Sequence, residues 1–321
     1  MTWLLRAAAL CVGLALSLPL ASAYPEKPIR LIVTFPPGGS TDIVARAIQP
    51  HLEKQLKQSV IIENRPGAGG VIGLDAVAKA APDGYTVGVA AAGALVINVS
   101  LQEKMPYDPV KDLVPVTKLA ESPFILAATP SFQAKNLHDA IGLAKRSPGT
   151  ISLGHGGNGT AMHLTAQMFN GMAAVNTALV PYRGTAAVVT DLIGGHLQLG
   201  IVDPPPSLAA FRAGQIKPIA ISSMQRFSML PDVPTFVEQG LPGFESTGWF
   251  GIVVPAGTPA NVIAKLNEAF VAGLKDAEVA ERIRSVGMER APMTPAEFAA
   301  YIKGEIDKWS KVVASSGAKP N

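Results

Sequence analysis

Ile29-Arg30-Leu31-Ile32-Val33-Thr34-Phe35-Pro36-Pro37-Gly38-Gly39-Ser40-Thr41-Asp42 is the stretch that decides the fold. A five-residue apolar run of strand length ends in a Pro/Gly loop, and a helical pattern begins at once. Across residues 41–56, Val44, Ile48, Leu52 and Leu56 fall on one helical stripe. Pro50 lies inside that helix, where its ring meets the Arg46 carbonyl, so a kink is expected.

The same order of strand, loop and helix recurs outward from this stretch. Residues 60–63 read as a strand, 64–70 as a loop and 71–80 as a helix. Pro82-Asp83-Gly84-Tyr85 then turns into a strand over 86–90, completing one βαβαβ half. A second half starts at 124–127. It continues with a helix over 137–146, a strand over 151–153, a helix over 160–169 and a strand over 177–180. A helix over 186–193, a strand over 197–202, a helix over 208–213 and a strand over 216–221 follow. Residues 249–254 carry the chain onward as a strand into two amphipathic helices, 260–274 and 295–313. This alternation is the signature of an α/β fold with mostly parallel sheets. Two α/β lobes on one chain place a ligand crevice at their junction.

Composition and the N-terminus set the class. The chain is 48% hydrophobic and 16% charged, enough apolar material for a large core of about two domains. Its formal net charge is +3 and its basic residues are scattered, so no nucleic-acid partner is expected. Arg6, an apolar run over 7–20 and Ala21-Ser22-Ala23 read as a signal peptide over residues 1–23, cleaved after Ala23, which implies a periplasmic protein. That run is shorter than the roughly 20 residues a spanning helix needs. Cys11 is the only cysteine and lies inside the signal, so the mature chain is expected to lack disulfides, thiolate metal sites and cysteine nucleophiles.

Two loops could carry chemistry. Phe35 to Asp42 joins a strand end to a helix start, where unpaired N–H groups and a partial positive charge favour an anion. An ordinary turn capped by Ser40 or Thr41 is the alternative. Asp42 can complement the helix dipole or accept from a donor on a ligand. The second loop, Gly154-His155-Gly156-Gly157-Asn158-Gly159-Thr160, again opens a helix. It formally matches G-x-G-x-x-G, yet the next strand ends in Pro181-Tyr182-Arg183-Gly184 and not in the acid that would hold a ribose. A second anion-accepting helix start is the better reading, and no cofactor is expected. Arg183 and Asp203 are expected at the ends of neighbouring strands, facing one crevice. Arg183 could grip a carboxylate in bidentate fashion, or close the lobes as a salt bridge. His163 falls in the first turn of its helix and reads as structural. The five histidines lack metal-ligand spacing, and neither a G-x-S-x-G elbow nor a P-loop is present. A Ser40-His163-Asp203 triad is conceivable, but no motif brings these residues together.

These residues resemble the solute receptors of tripartite tricarboxylate transporters, the Bug family of periplasmic binding proteins. The resemblance covers the chain from Tyr24 onward. It rests on Tyr24-Pro25-Glu26-Lys27-Pro28-Ile29-Arg30, the Phe35 to Asp42 loop, Glu63-Asn64-Arg65-Pro66-Gly67-Ala68-Gly69-Gly70 and Pro82-Asp83-Gly84-Tyr85-Thr86. Gly157 to Thr160 with His163-Leu164, Val180 to Gly184, Leu230-Pro231-Asp232-Val233-Pro234-Thr235 and Val254-Pro255-Ala256-Gly257-Thr258-Pro259 complete it. Each is short; their order and spacing are specific.

The resemblance implies a type II periplasmic-binding-protein fold: two α/β lobes around a ligand cleft, with a hinge crossed twice. Lobe 1 would be residues 24–123 plus 249–321, and lobe 2 residues 124–248. In this family the first-strand loop and the second lobe's glycine loop hold the ligand carboxylate, often through water. That maps to Phe35, Gly38, Gly39, Ser40 and Asp42, and to Gly157, Asn158, Gly159 and Thr160. Asp203 matches a position near the cleft, and Gly93, Tyr182 and Arg183 complete the expected contacts. Two departures stand out. Ala90-Ala91-Ala92-Gly93-Ala94-Leu95 replaces the family's hydroxyl residues, and His155-Gly156 precedes Gly157 where small hydroxyls are usual. The less polar wall suggests a carboxylate with an apolar or aromatic part and argues against a citrate-like tricarboxylate. The expected function is a monomeric receptor, not an enzyme, that captures a small organic carboxylate and delivers it to membrane transporter subunits. A periplasmic hydrolase using Ser40 or His163, or a sensor docking a signalling partner, is the alternative.

Overall fold

The computed structural model describes residues 24–316; the expected signal segment and Cys11 lie outside the described residues. The founding stretch folds as read. β1 (Ile29–Val33) leads into α1 (Ser40–Leu56), which runs unbroken through Pro50. β2 (Val60–Asn64), α2 (Val71–Ala78) and β3 (Thr86–Ala91) follow. β1 pairs in parallel with both β2 and β3, setting Leu31 beside Ile62 and Val87.

Between β3 and residue 124 the sequence reading missed two elements, and further on it missed the helix Ala277–Ser285 and the short strand Glu289–Arg290. A wide turn over Gly93–Ile97 runs into a short helix, α3 (Asn98–Leu101), through residues too apolar to show a helical stripe. β4 (Leu113–Pro123) is an eleven-residue strand. Pro115, Lys118 and Glu121 break its apolar pattern, which therefore reads as loop. The Lys118 side chain is nevertheless buried: its ammonium pairs with Glu121 and lies 4.2 Å from the Tyr301 ring centroid.

The second sheet uses β5 (Ile125–Ala128), β6 (Ser152–His155), β7 (Ala178–Pro181), β8 (Leu199–Val202) and β9 (Lys217–Ile221). Its helices are α4 (Leu137–Arg146), α5 (Ala161–Ala173), α6 (Thr185–Ile193) and α7 (Pro204–Arg212). α7 starts earlier than the sequence suggests, because Pro204 tolerates the first helical turn, where its missing N–H is no loss. β10 (Thr247–Pro255) returns to the first sheet and leads to α8 (Ala260–Lys275), α9 (Ala277–Ser285), β11 (Glu289–Arg290) and α10 (Pro295–Ser316).

The sheet orders are β11-β4-β10-β3-β1-β2 and β7-β6-β8-β5-β9. The expectation of mostly parallel sheets is corrected: both are mixed. β10 runs antiparallel to β3 and β4, and β5 antiparallel to β8 and β9. The cause is connectivity. β4 carries the chain out of the first sheet and β10 carries it back, so the two passes lie side by side in opposite senses. The passes are stitched where they cross. Phe124 N–H donates to Ser222 Oγ at 2.8 Å, Ser222 N–H to the Phe124 carbonyl at 2.9 Å, and Ser246 N–H to the Ser222 carbonyl at 3.0 Å.

One core cluster spans both sheets, joining Ile32 and Leu74 to Leu153, Phe169 and Phe236. α10 packs on β4 and also reaches α5. Its buried Glu305 accepts from two indoles through one oxygen, Trp249 Nε1 at 2.9 Å and Trp309 Nε1 at 3.0 Å. Among the described residues no helix is long and apolar enough to cross a membrane.

Glu305→Ala leaves two buried indole donors unpaired. It should lower unfolding free energy by roughly 2–4 kcal/mol in urea denaturation, while Glu305→Gln, which keeps an acceptor, should lose clearly less. Equal losses in the two variants would show that packing, and not the paired hydrogen bonds, holds the helix.

Candidate functional site

The loop after β1 is shaped from within. Gly38 takes φ +78°, and Gly39, extended at φ −77°, caps α1 without a side-chain hydrogen bond to the first-turn N–H groups. The buried Asp42 organises the loop. Its Oδ2 accepts from Gly38 N–H at 3.0 Å and Arg46 Nε at 2.8 Å, and its Oδ1 accepts from Asn64 Nδ2 at 2.9 Å. The same Asn64 amide donates to the Phe35 carbonyl at 2.9 Å. Burial pushes the Asp42 carboxyl up, but the bonds from Arg46, Gly38 and Asn64 prevail and hold it below the usual carboxylate range. Asp42 is thus committed to the loop on both oxygens.

The glycine loop before α5 is built differently. Gly157 and Gly159 have φ of +120° and +73°. Thr160 is the cap: its hydroxyl donates to the Gly157 carbonyl at 2.6 Å and accepts from His163 N–H at 3.2 Å. His163 Nδ1 accepts from Gly159 N–H at 3.3 Å, so its imidazole supports the loop. His155 stacks on that ring at 4.7 Å between centroids. It is fully buried, and neither ring nitrogen completes a hydrogen bond of regular geometry. Burial first, and the neighbouring His163 second, push its imidazole down to about 3, the nearby Gly157 N–H opposing. Burial lowers His163 as well.

The two loops meet. Asn98 of α3 donates its amide to the Gly93 carbonyl at 2.9 Å and the Gly159 carbonyl at 3.0 Å. The approach is so close that a Cβ on Gly93 would lie 2.6 Å from the Gly159 oxygen, and one on Gly69 would lie 2.8 Å from the Asn158 oxygen.

Beside this contact lies a cavity with an empty volume of about 630 Å³, mouth included. First residues or caps of four helices line it: Ser40 of α1, Thr160 and Ala161 of α5, Thr185 of α6, and Asp203, the cap of α7. Helix starts present N–H donors and partial positive charge, so their convergence favours an anion. The remaining wall is apolar: Phe35, Ala91, Ala92, Phe124, Met162, Trp249 and Phe250. Trp249 brings no free donor to it, because Glu305 takes its N–H. Ser40 Oγ and Asp203 Oδ1 are buried, and neither completes a hydrogen bond of regular geometry. Burial pushes the Asp203 carboxyl up, against the nearby hydroxyls of Ser40 and Thr185 and its own backbone N–H.

Of the residues expected from sequence, Phe35, Gly39, Ser40, Gly93, Thr160, Arg183 and Asp203 line this one cavity. Gly38, Asp42, Gly157, Asn158, Gly159 and Tyr182 do not. Tyr182 donates its hydroxyl to Asp191 Oδ2 at 2.6 Å, and burial together with that carboxylate pushes its phenol up to about 12. The expectation that Arg183 and Asp203 follow neighbouring strands is corrected: β6 lies between β7 and β8. The exposed Arg183 and the buried Asp203 form no ion pair, so the salt-bridge alternative is not realised between them. Ser40 and His163 make no hydrogen bond, so the conceivable triad is not assembled. Among the described residues no group of three or more His, Cys, Asp and Glu could hold a metal. Sequence reading missed Phe124, Met162, Thr185, Trp249 and Phe250. The hydrophobicity of Phe124, Trp249 and Phe250 reads as strand core, and only their place on the crossing segments brings them to the cavity.

Known proteins match along almost the whole chain. Residues 44–318 fit the pattern of the TctC family, described as tripartite tricarboxylate transporter family receptor. BugT of Bordetella pertussis is 37% identical over 300 residues, 93% of this chain and 92% of its own. An R. palustris chain solved with adipate superposes with a TM-score of 0.90 at 33% identity, covering 93% of this chain and all of that one. MatC from Rhodopseudomonas palustris, solved with malate, gives a TM-score of 0.85 at 34% identity over 90% of this chain and all of its own. The architecture is thereby the type II periplasmic-binding-protein fold.

Asp42→Asn should remove a charge-assisted hub and lower stability by roughly 1.5–3 kcal/mol at neutral pH. Because the folded carboxyl lies below its unfolded value, this contribution is present above about pH 4 and is lost as pH falls through the folded pKa. Denaturation of both proteins across acid pH should therefore show their difference shrinking; a pH-independent difference would contradict the role of the charge.

Proposed function

The chain belongs to the tripartite tricarboxylate transporter receptor family, and from that premise we propose that it binds one small organic carboxylate between two closing lobes and delivers it to membrane transporter subunits. The lobes are residues 24–123 with 249–321, and residues 124–248. The protein is exported by cleavage after Ala23 and works as a periplasmic monomer without cofactor or turnover.

One observation carries this reading: the starts of four helices, one from the first sheet and three from the second, line a single cavity. An anion placed there touches both halves at once, so it stabilises the closed arrangement relative to an open one. The carboxylate sits among Gly39, Ser40, Thr160 and Ala161. Phe35, Gly93 and Arg183 complete its surroundings; Gly38, Asp42, Gly157, Asn158, Gly159 and Tyr182 act by shaping the loops. The apolar wall receives the carbon skeleton, and an apolar or aromatic part fits it better than two further carboxylates. Relatives solved with adipate and malate support the ligand class.

A thermal-shift panel of mono-, di- and tricarboxylates tests this directly. A bound acid at a hundred times its Kd stabilises the folded chain by about 2.7 kcal/mol. At least one mono- or dicarboxylate should raise Tm in a concentration-dependent way; stabilisation only by molecules without a carboxylate would overturn the reading. Gly93→Ala should weaken the binding of that acid by at least about tenfold in calorimetry, because its Cβ would lie 2.6 Å from the Gly159 oxygen and 3.0 Å from the Gly69 oxygen.

A further inference from the structure

Asp203 is the one carboxylate in the cavity lining, and the described residues give it no counter-charge. It is 3% exposed, and its Oδ1 completes no hydrogen bond of regular geometry. The Ser40 hydroxyl is 6% exposed and lacks a regular partner in the same way. Thr185 directs its hydroxyl hydrogen bond to Met162 Sδ at 3.3 Å. Arg183 stands exposed at the strand end beyond β6 and makes no ion pair with Asp203. Buried polar groups in native proteins are paired, and a buried acceptor without a donor is strongly disfavoured. The Ser40 and Thr185 hydroxyls stand near this carboxyl, but neither completes a bond of regular geometry to Oδ1, so Asp203 keeps acceptor capacity at the lining of the space that a ligand fills.

We infer that Asp203, with Ser40 beside it, is a specificity subsite for a hydrogen-bond donor on the ligand, so that the preferred ligand is an organic acid carrying a second group with an O–H or N–H: a hydroxyl, an amide or an ammonium. The inference rests on the carboxylate reading above and narrows it. The ligand's carboxylate goes to the helix start around Thr160 and Ala161, and its donor group goes to Asp203 and Ser40. Acids without the donor leave Asp203 buried and unpaired. Removing a donor from a ligand whose receptor is built to accept it loses far more than removing a methylene from an apolar pocket. Acids bearing a second carboxylate at this end bring another acceptor where a donor is wanted. This chemistry accounts for one acidic side chain in a cleft that otherwise invites anions.

The test uses the full mature chain and matched sets of monocarboxylates: unsubstituted, terminally hydroxylated and terminally aminated acids over a range of chain lengths. Affinities are measured by calorimetry for the native protein and for Asp203→Asn. In the native protein, at the best chain length, at least one donor-bearing acid should bind more tightly than its unsubstituted partner by about tenfold or more. In Asp203→Asn that ratio should fall to within about twofold of unity. Equal affinities in the native protein, or a ratio retained in the variant, overturn the inference. Tight binding of unsubstituted acids with uptake of a proton would also overturn it, because Asp203 would then be a donor to the carboxylate. If the variant does not fold, the native ratio alone decides. If no acid of any set binds, the carboxylate reading itself fails, an outcome distinct from acids that bind without preference.

Discussion

A single side-chain amide holds the two halves of the site in register. Asn98 donates to the carbonyls of Gly93 and Gly159, which belong to segments following strands of different sheets. The bond is possible only because both partners lack a Cβ; either glycine, made larger, would push the loops apart. With the loops in contact, the starts of α1 and α5 face a common space. The helix-start chemistry of either loop alone is that of an ordinary cap. Facing each other, they offer an anion N–H donors from two sides of one space.

The rest of the chain supports that contact. Asp42 fixes the first loop through Gly38, Arg46 and Asn64. His163 and Thr160 fix the second. Phe124, Ser222 and Ser246 tie the crossing segments to one another. The Glu305 carboxylate anchors Trp249 and Trp309 by their N–H groups, so Trp249 meets the cavity as an apolar group. Polar side chains thus shape the site, while the surface left for a ligand is mostly apolar carbon and helix-start backbone.

Much of this was legible before any coordinates. β1 and its loop, the βαβαβ unit and the glycine loop before α5 announced themselves by apolar runs broken by Gly and Pro. What stayed hidden has physical causes. β4 carries a buried lysine, Lys118, whose place depends on Tyr301 and Glu121. The antiparallel crossing of β4 and β10 is a property of connectivity between distant segments and leaves no local pattern. Asp42 read as a possible ligand contact because its spacing from Arg46 and Asn64 does not reveal that both its oxygens are used. Asp203 was visible as a strand-end acid, but its lack of a counter-charge appears only when the surrounding side chains are placed.

The most direct test of the account is a crystal structure of the mature protein with the acid that stabilises it most. The carboxylate is expected against the N–H groups at the starts of α1 and α5, directly or through water, with Asn98 still bridging Gly93 and Gly159. An acid bound elsewhere, or with its carboxylate turned to the Trp249 and Phe250 wall, would contradict it.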